Sequence, residues 1–326
     1  MLSNLDIYEA KTMLLSLFNI LVFPGFIFLM AFGMLVEYID RKLHARLQNR
    51  VGPPWFQPSA DFLKLVGKED FIPEEADKVM FTIMPIIALA ANVTTFFYVP
   101  VWAAQSLFSF QGDVIVVLYL LTIPTLTFFL AGWYSTSMYS TIGAVRSITQ
   151  LFAYEVPLFL SILAAALLAN TWSLSGMTVF YSKHPLYCLA NIIGFGVSLV
   201  ALLSKLEKVP FDIPEAETEI VAGSFTEYSG KSLAFFRLAI DIEMVVGAAL
   251  LAAVYLPFGM VNAGVFFGTI LFMVKVIFIV CLLTLARSVF ARLRIDQMVN
   301  FFWKYVAPLA FLQLLIDLVL KVFQSH

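Results

Sequence analysis

The sequence predicts an all-α, polytopic membrane protein with about eight spanning helices. Three observations carry this. Of its 326 residues, 61% are hydrophobic and only 13% charged, whereas soluble domains hold roughly 45–50% apolar and about 25% charged residues. The apolar residues fall in runs as long as the ~20 residues a helix needs to cross a hydrocarbon core of about 30 Å. The runs show no strand-like alternation, and backbone inside lipid must otherwise be helical.

Taken in order, the predicted spans are 13–36, 79–104, 114–136 and 147–169, the last interrupted by Glu155. They continue with 186–204, with 233–257 carrying Arg237, Asp241 and Glu243, with 261–286 carrying Lys275, and with 303–320, which has Asp317 near its end. Together they make a single membrane domain over 1–326. The first run is longer than the apolar stretch of a cleavable leader, roughly 7–15 residues, so it is expected to remain as a span.

Lys and Arg set the orientation. One side of the predicted topology gathers Arg41, Lys42, Arg46, Arg50, Lys64, Lys68 and Lys78 after the first span and Arg146 after the third. It also holds Lys205, Lys208 and Lys231 after the fifth, and Arg287, Arg292, Arg294 and Lys304 after the seventh. The opposite side holds Lys11, Lys183 and Lys321. The asymmetry places a multi-pass protein in the cell membrane, with both termini outside and the long loops 37–78 and 205–231 in the cytoplasm.

Several function classes are disfavoured. A net charge of −2 offers no overall basic field for nucleic acid. Cys188 and Cys281 stand alone in apolar runs, without metal-ligand spacing. His44, His184 and His326 are scattered, and no glycine-rich phosphate loop occurs. The chain is expected to conduct, couple or bind, with no metal or redox cofactor of its own.

The two long loops carry the informative chemistry. In the first, Gly52-Pro53-Pro54 and Gln57-Pro58 make a hinge, and Phe62, Leu63, Leu65 and Val66 follow at helical spacing among Asp61, Lys64 and Lys68. This predicts a short amphipathic helix lying on the membrane. The second loop concentrates the acids Glu207, Asp212, Glu215, Glu217, Glu219 and Glu227. Pro210 and Pro214 keep 209–213 out of a helix, and Pro214 is placed to open one, with Glu215 and Glu217 at the positive end of its dipole. Capping accounts for those two acids and not for Glu219 and Glu227. Crowded carboxylates at low dielectric do not all ionise, so such a cluster titrates as a unit and can pass protons.

Charges inside the spans point the same way. An ionisable side chain at a helix centre costs roughly 2.5–3.5 kcal/mol on insertion scales and faces protein or water. Glu155, Glu243 and Lys275 are such positions. Arg237 and Asp241, four apart on one helix face, have the spacing of an internal ion pair.

At these residues the chain becomes recognisable. The stretch Val209-Pro210-Phe211-Asp212-Ile213-Pro214-Glu215-Ala216-Glu217, running on through Glu219, Gly223 and Thr226-Glu227-Tyr228-Ser229-Gly230, closely resembles the signature of the complex I subunit 1 family, also called the H-subunit family. Asp40-Arg41-Lys42, Ala45-Arg46 and Gln48-Asn49-Arg50-Val51-Gly52-Pro53 resemble its first-loop motif. Gly132-Trp133, Arg146, Gln150 and Tyr154-Glu155 with Pro157, then Arg287, Arg292, Arg294 and Asp296-Gln297, extend the resemblance along essentially the whole chain.

The resemblance implies a membrane subunit that anchors a peripheral redox arm and couples it to ion translocation. The implied partners are an iron–sulfur subunit, a hydrogenase-large-subunit-like protein, small membrane subunits and antiporter-like subunits, with the iron–sulfur clusters held by partners. The implied relay residues are Asp40, Glu155, Asp212, Glu215, Glu217, Glu219, Glu227 and Glu243, to which the charges inside the spans add Asp241 and Lys275. The basic residues of the chamber or docking face are Arg41, Lys42, Arg46, Arg50, Arg237, Arg287, Arg292 and Arg294. In quinone-using members the chamber holds a quinone head group. Here the segment from Gly52 to Pro58 is shortened, as in energy-converting membrane-bound hydrogenases and their sulfur-reducing relatives. That form is expected to lack a deep quinone site, leaving Arg41, Arg46 and Arg50 to pair with Asp40 and the second-loop acids. A quinone-reducing complex I is the alternative, and a stand-alone secondary transporter a more distant one.

Overall fold

The computed structural model describes residues 4–101, 104–259 and 264–324, with the side chains of 4–12, 217, 218 and 265 outside that description. Within it the chain is helices joined by irregular segments. The helices are α1 (Asn4–Leu21), α2 (Phe26–Leu47), α3 (Gln57–Val66), α4 (Lys78–Phe96), α5 (Asp113–Tyr134), α6 (Met138–Ala169) and α7 (Leu174–Lys183). There follow α8 (Pro185–Ala190), α9 (Ile192–Lys205), α10 (Glu217–Ile220), α11 (Gly230–Tyr255), α12 (Val265–Val289), α13 (Ile295–Phe301) and α14 (Ala307–Gln324). A π-helical turn, Phe302–Val306, joins the last two. Among the described residues seven helical segments are long and apolar enough to cross a membrane, and α9 is a shorter apolar helix in the place of the eighth.

Two predicted spans need correction. The first is not one helix: it breaks around Pro24, which has no N–H to give to the ladder, whereas Pro85, Pro124 and Pro157 are accommodated inside α4, α5 and α6. The chain breaks at Val22–Gly25, and α2 restarts at Phe26 and runs on to Leu47. Residues expected in the first loop, from Glu37 to Leu47, are therefore helical. The fifth span is likewise divided, into α8 and α9 at Asn191. The predicted start of the seventh span, 261–263, lies outside the described residues.

α11 is the axis of the bundle. It packs against α2, α3, α4, α7, α9 and α12, and every residue from Ile242 to Tyr255 is buried. Around it, α5 and α6 pack together, and α6 meets α9 and α14. Asp77 starts α4 by accepting hydrogen bonds from the Val79 and Met80 N–H groups at 3.0 and 3.1 Å, which satisfies donors that have no partner within the helix.

Two glycines set the path of the second loop, one within it and one where it meets α6. Gly223 has φ +53°, and a Cβ there would lie 1.8 Å from the Pro214 carbonyl oxygen. Gly143 of α6 lets the loop backbone close in, since its Cβ would stand 2.5 Å from the Ser224 nitrogen. The expected helix opening at Pro214 does not form. The first helical turn after it is α10, which begins at Glu217, beyond Glu215. The loop backbone is instead committed to reversals at Val221 (φ 63°) and Gly223.

Candidate functional site

One end of the bundle encloses a chamber of about 540 Å³ between α2, α3, α11 and the second loop. More than half of the residues lining it are charged. The acids are Glu37, Asp61, Glu207, Asp212, Glu215, Asp241 and Glu243, and the bases are Arg41, Lys208, Arg237, Arg287 and Arg292. α3 is its roof: Pro58, Asp61, Phe62 and Leu65 face the chamber while Leu63 is 68% exposed. The predicted surface helix thus exists, but its inner side covers protein.

Removing an ion from water costs several kcal/mol unless a partner replaces the hydration, and the lining is paired accordingly. Asp40, on α2 behind the chamber wall, accepts from Lys208 at 2.6 Å, from Arg287 at 2.8 Å and from the Thr284 hydroxyl at 2.7 Å. Lys208 also reaches Glu37 at 3.4 Å. Burial alone would lower the Lys208 ammonium, but Asp40 and Glu37 outweigh it and hold the group above its ordinary value. Arg41 joins Glu37 at 2.6 Å to Asp61 of the roof at 3.0 Å. Arg292 pairs with Asp212 at 3.2 Å and Arg237 with Glu215 at 3.0 Å.

Deeper in, Lys205 at the end of α9 meets Glu243 of α11 at 2.6 Å. The ammonium also donates to the Leu121 carbonyl and lies over the Tyr154 ring. Glu207 is hydrogen-bonded to the Ser147 hydroxyl at 3.1 Å. Burial pushes its carboxyl up to about 8, and the neighbouring Glu215 charge adds to this.

The chamber wall therefore unites Arg41, Asp212, Glu215, Arg237, Asp241, Glu243, Arg287 and Arg292, with Asp40 bonded behind it. Other predicted residues lie elsewhere. Glu155 is half-buried on α6, and Glu227 half-buried in the loop. Glu219 is 52% exposed and pairs with Arg146 at 2.7 Å, whose hydrogen bond and charge lower the carboxyl. Lys275 donates to the Phe258 carbonyl at 2.6 Å. Lys42 donates to the Pro53 carbonyl at 3.2 Å, and Arg46, Arg50 and Arg294 are at least partly exposed. The side chain of Glu217 is outside the described ones.

Two expected pairings are replaced. Arg237 bridges to Glu215 rather than to Asp241, because the loop brings a carboxylate across to the helix. The partners of Asp40 are Lys208 and Arg287 rather than the first-loop arginines, because α2 continues past Val36 and buries Asp40 against α12. Glu37, Asp61, Lys205 and Lys208 were not among the predicted site residues, and Glu207 entered only as a member of the acidic cluster of the second loop. Their signal was adjacency: Lys205, Glu207 and Lys208 directly follow an apolar run and precede Val209-Pro210. Among the described residues, His, Cys, Asp and Glu side chains nowhere converge in threes as a metal-ligand set.

Membrane-spanning helices that close one end over paired acids and bases define the class, a polytopic membrane protein with a charged chamber. The sequence matches the NADH dehydrogenase family over residues 18–318, and the chain belongs to that family, the one that contains the complex I H-subunits. It is 33% identical to the H-subunit of the NADH-quinone oxidoreductase of Carboxydothermus hydrogenoformans, over 93% of this chain and 87% of that one. It is 35% identical to that of Bacillus cytotoxicus, over 93% and 95%. Among solved structures it resembles a chain of the membrane-bound sulfane sulfur reductase, an archaeal respiratory membrane complex, with a TM-score of 0.80 and 27% identity, covering 89% of this chain and 96% of that chain.

Proposed function

We propose that this membrane-anchor subunit of a complex I-like respiratory complex uses its chamber to couple electron transfer in a peripheral arm to proton or sodium translocation. The observation that carries the reading is the placement of two lysines. Lys208 ties the second loop to Asp40 and Glu37 at the chamber wall, and Lys205 ties α9 to Glu243, which itself lines the chamber. A charge change in the chamber thus acts on groups held in low dielectric, where it is worth most. The loops would face the cytoplasm, with Lys42, Arg46, Arg50 and Arg294 at the edge that meets an arm carrying iron–sulfur clusters.

For the electron acceptor we favour the hydrogenase or sulfur-reducing type. The short Gly52–Pro58 segment and the resemblance to the sulfane sulfur reductase support it. So does a lining in which, among the described residues, Phe62 and Phe128 are the only aromatic ones, since small-molecule pockets are mostly apolar with few polar groups. The names of the relatives from Carboxydothermus and Bacillus favour the second reading, a quinone-reducing complex.

The test is Lys208→Met in the purified complex, reconstituted into sealed liposomes with ions moved per electron as the readout. Electron transfer should continue while translocation falls strongly. An unchanged ion-to-electron ratio would remove the basis for the relay. Quinone extracted in stoichiometric amount from the same preparation would decide for the second acceptor.

A further inference from the structure

At the end of the bundle opposite the chamber, Asp317 of α14 is fully buried at 0% exposure. It lies roughly 22 residues beyond Ile295, which is about 33 Å of helix at 1.5 Å per residue. Its Oδ1 accepts from Gln313 Nε2 at 3.0 Å, and its Oδ2 has no partner among the described residues. The same Gln313 nitrogen faces Asn191 Oδ1 at 3.1 Å and the Ala190 carbonyl at 3.2 Å. An amide nitrogen carries two hydrogens, so three acceptors compete for them while the second Asp317 oxygen has none.

The amides are held in this orientation. Gln313 Oε1 accepts the Gly194 N–H at 3.3 Å, and Asn191 Nδ2 donates to Tyr181 Oη and to the Tyr187 carbonyl, both at 3.1 Å. The result is a buried cluster with more oxygens than hydrogens. A bare carboxylate in such a place costs several kcal/mol. A positive charge removes the deficit: either a proton on Asp317, whose O–H donates to a spare acceptor, or a small cation taking oxygen ligands, as hard cations do.

The cluster also leads somewhere. A Cβ on Gly194 would lie 3.2 Å from Tyr255 Oη, so that hydroxyl adjoins the Gln313 site. It bonds Ser198 at 3.0 Å and the Ser161 carbonyl at 3.1 Å, and Ser198 bonds the Ser161 hydroxyl at 2.7 Å. Each of these hydroxyls can both donate and accept. The string stops one apolar stretch short of Lys205, about 10 Å along α9 from Ser198, where Leu158, Ala201 and Leu202 are buried. The titratable groups facing Asp317 are Tyr181 of α7 and Tyr255 of α11, with Cys188 of α8 beside them and Lys321 one turn along α14.

We propose that Asp317, with Asn191 Oδ1 and the Ala190 carbonyl as the further oxygens around the Gln313 amide, binds a monovalent cation, a proton or Na⁺, at the end of the bundle away from the chamber. The site requires neither Lys208 nor the chamber, and stands independently of the relay. The test compares the purified complex with its Asp317→Asn variant by infrared pH titration and by ²²Na⁺ equilibrium binding. The expected result is loss, in the variant, of one protonated-carboxyl band or of one bound Na⁺ per complex. The first outcome identifies the proton and the second identifies sodium. Should Asp317→Asn fail to assemble, radiolabelled carbodiimide on the native complex replaces it, because the reagent modifies protonated buried carboxyls. An adduct on Asp317 supports the site, and its suppression by Na⁺ assigns sodium. Identical spectra and Na⁺ binding in the two proteins, or no adduct at Asp317 in the native complex, would overturn the proposal.

Discussion

Lys205 and Glu243 meet at 2.6 Å with each side chain about 1% exposed, although 9 of the 14 residues of α9 and most of α11 are apolar around them. Breaking such a pair from one side leaves an uncompensated buried charge and costs about 3–5 kcal/mol, whereas replacing both partners by apolar groups is near neutral or stabilising. Lys205→Met alone should therefore lower the unfolding temperature of the complex or prevent its assembly. Lys205→Met with Glu243→Leu should assemble as well as the wild type and lose ion translocation. Thermal unfolding alongside liposome transport checks both halves, and a double variant that still pumps normally would confine the pair to a structural role.

Glu207 gives the chamber a pH signature. Its folded value of about 8 lies above the ordinary 4.5, so between these values the folded state binds more protons than the unfolded one. Stability therefore falls as pH rises through that window, and the loss is complete above about 8. Glu207→Gln abolishes the dependence. Relative to wild type, the variant should gain thermal stability steadily from pH 5 to pH 8 and no more beyond. A constant difference across that range would show that Glu207 titrates normally.

Glu219 should behave differently from its neighbours in the loop. It is 52% exposed and bound to Arg146, and exposed ion pairs contribute little. Glu219→Gln is expected to assemble, unfold close to wild type, and keep more translocation than the double variant Lys205→Met with Glu243→Leu. The comparison of ion-to-electron ratios in the two variants decides it.

Gly223→Ala tests the loop itself. A non-glycine residue at this backbone conformation costs about 1–3 kcal/mol, and the added methyl carbon would meet the Pro214 carbonyl at 1.8 Å. The variant should disorder the segment that carries Asp212 and Glu215. Faster proteolysis between Lys208 and Lys231 in the assembled complex is the expected reading, and wild-type resistance would count against this account.

How much of this was legible follows from what each residue depends on. The spans were readable because burial in lipid is a local requirement on composition, met by each run on its own. The breaks at Pro24 and Asn191 were harder, because a long apolar run masks a short irregular segment within it. Asp212, Glu215 and Arg292 were readable as a charged constellation, but their partners were not. Arg237 has Asp241 at helical spacing, yet it reaches Glu215, a residue brought close by the fold of a loop and not by chain distance. Lys205 was the least visible. As the last residue of an apolar helix it reads as an interfacial anchor, and only its packing against α11 turns it inward.

The 14 residues of α9 span about 21 Å, less than the ~30 Å thickness of a hydrocarbon core. Leu186 and Leu189 of α8 and Ile192 at the start of α9 are each more than 60% exposed. The span at this edge is therefore completed by α8, and the two short helices meet at the turn at Asn191. That turn is held by Gln313 of α14, which donates to Asn191 Oδ1 and faces the Ala190 carbonyl while accepting the Gly194 N–H, so one side chain of the last span joins the two halves of the fifth.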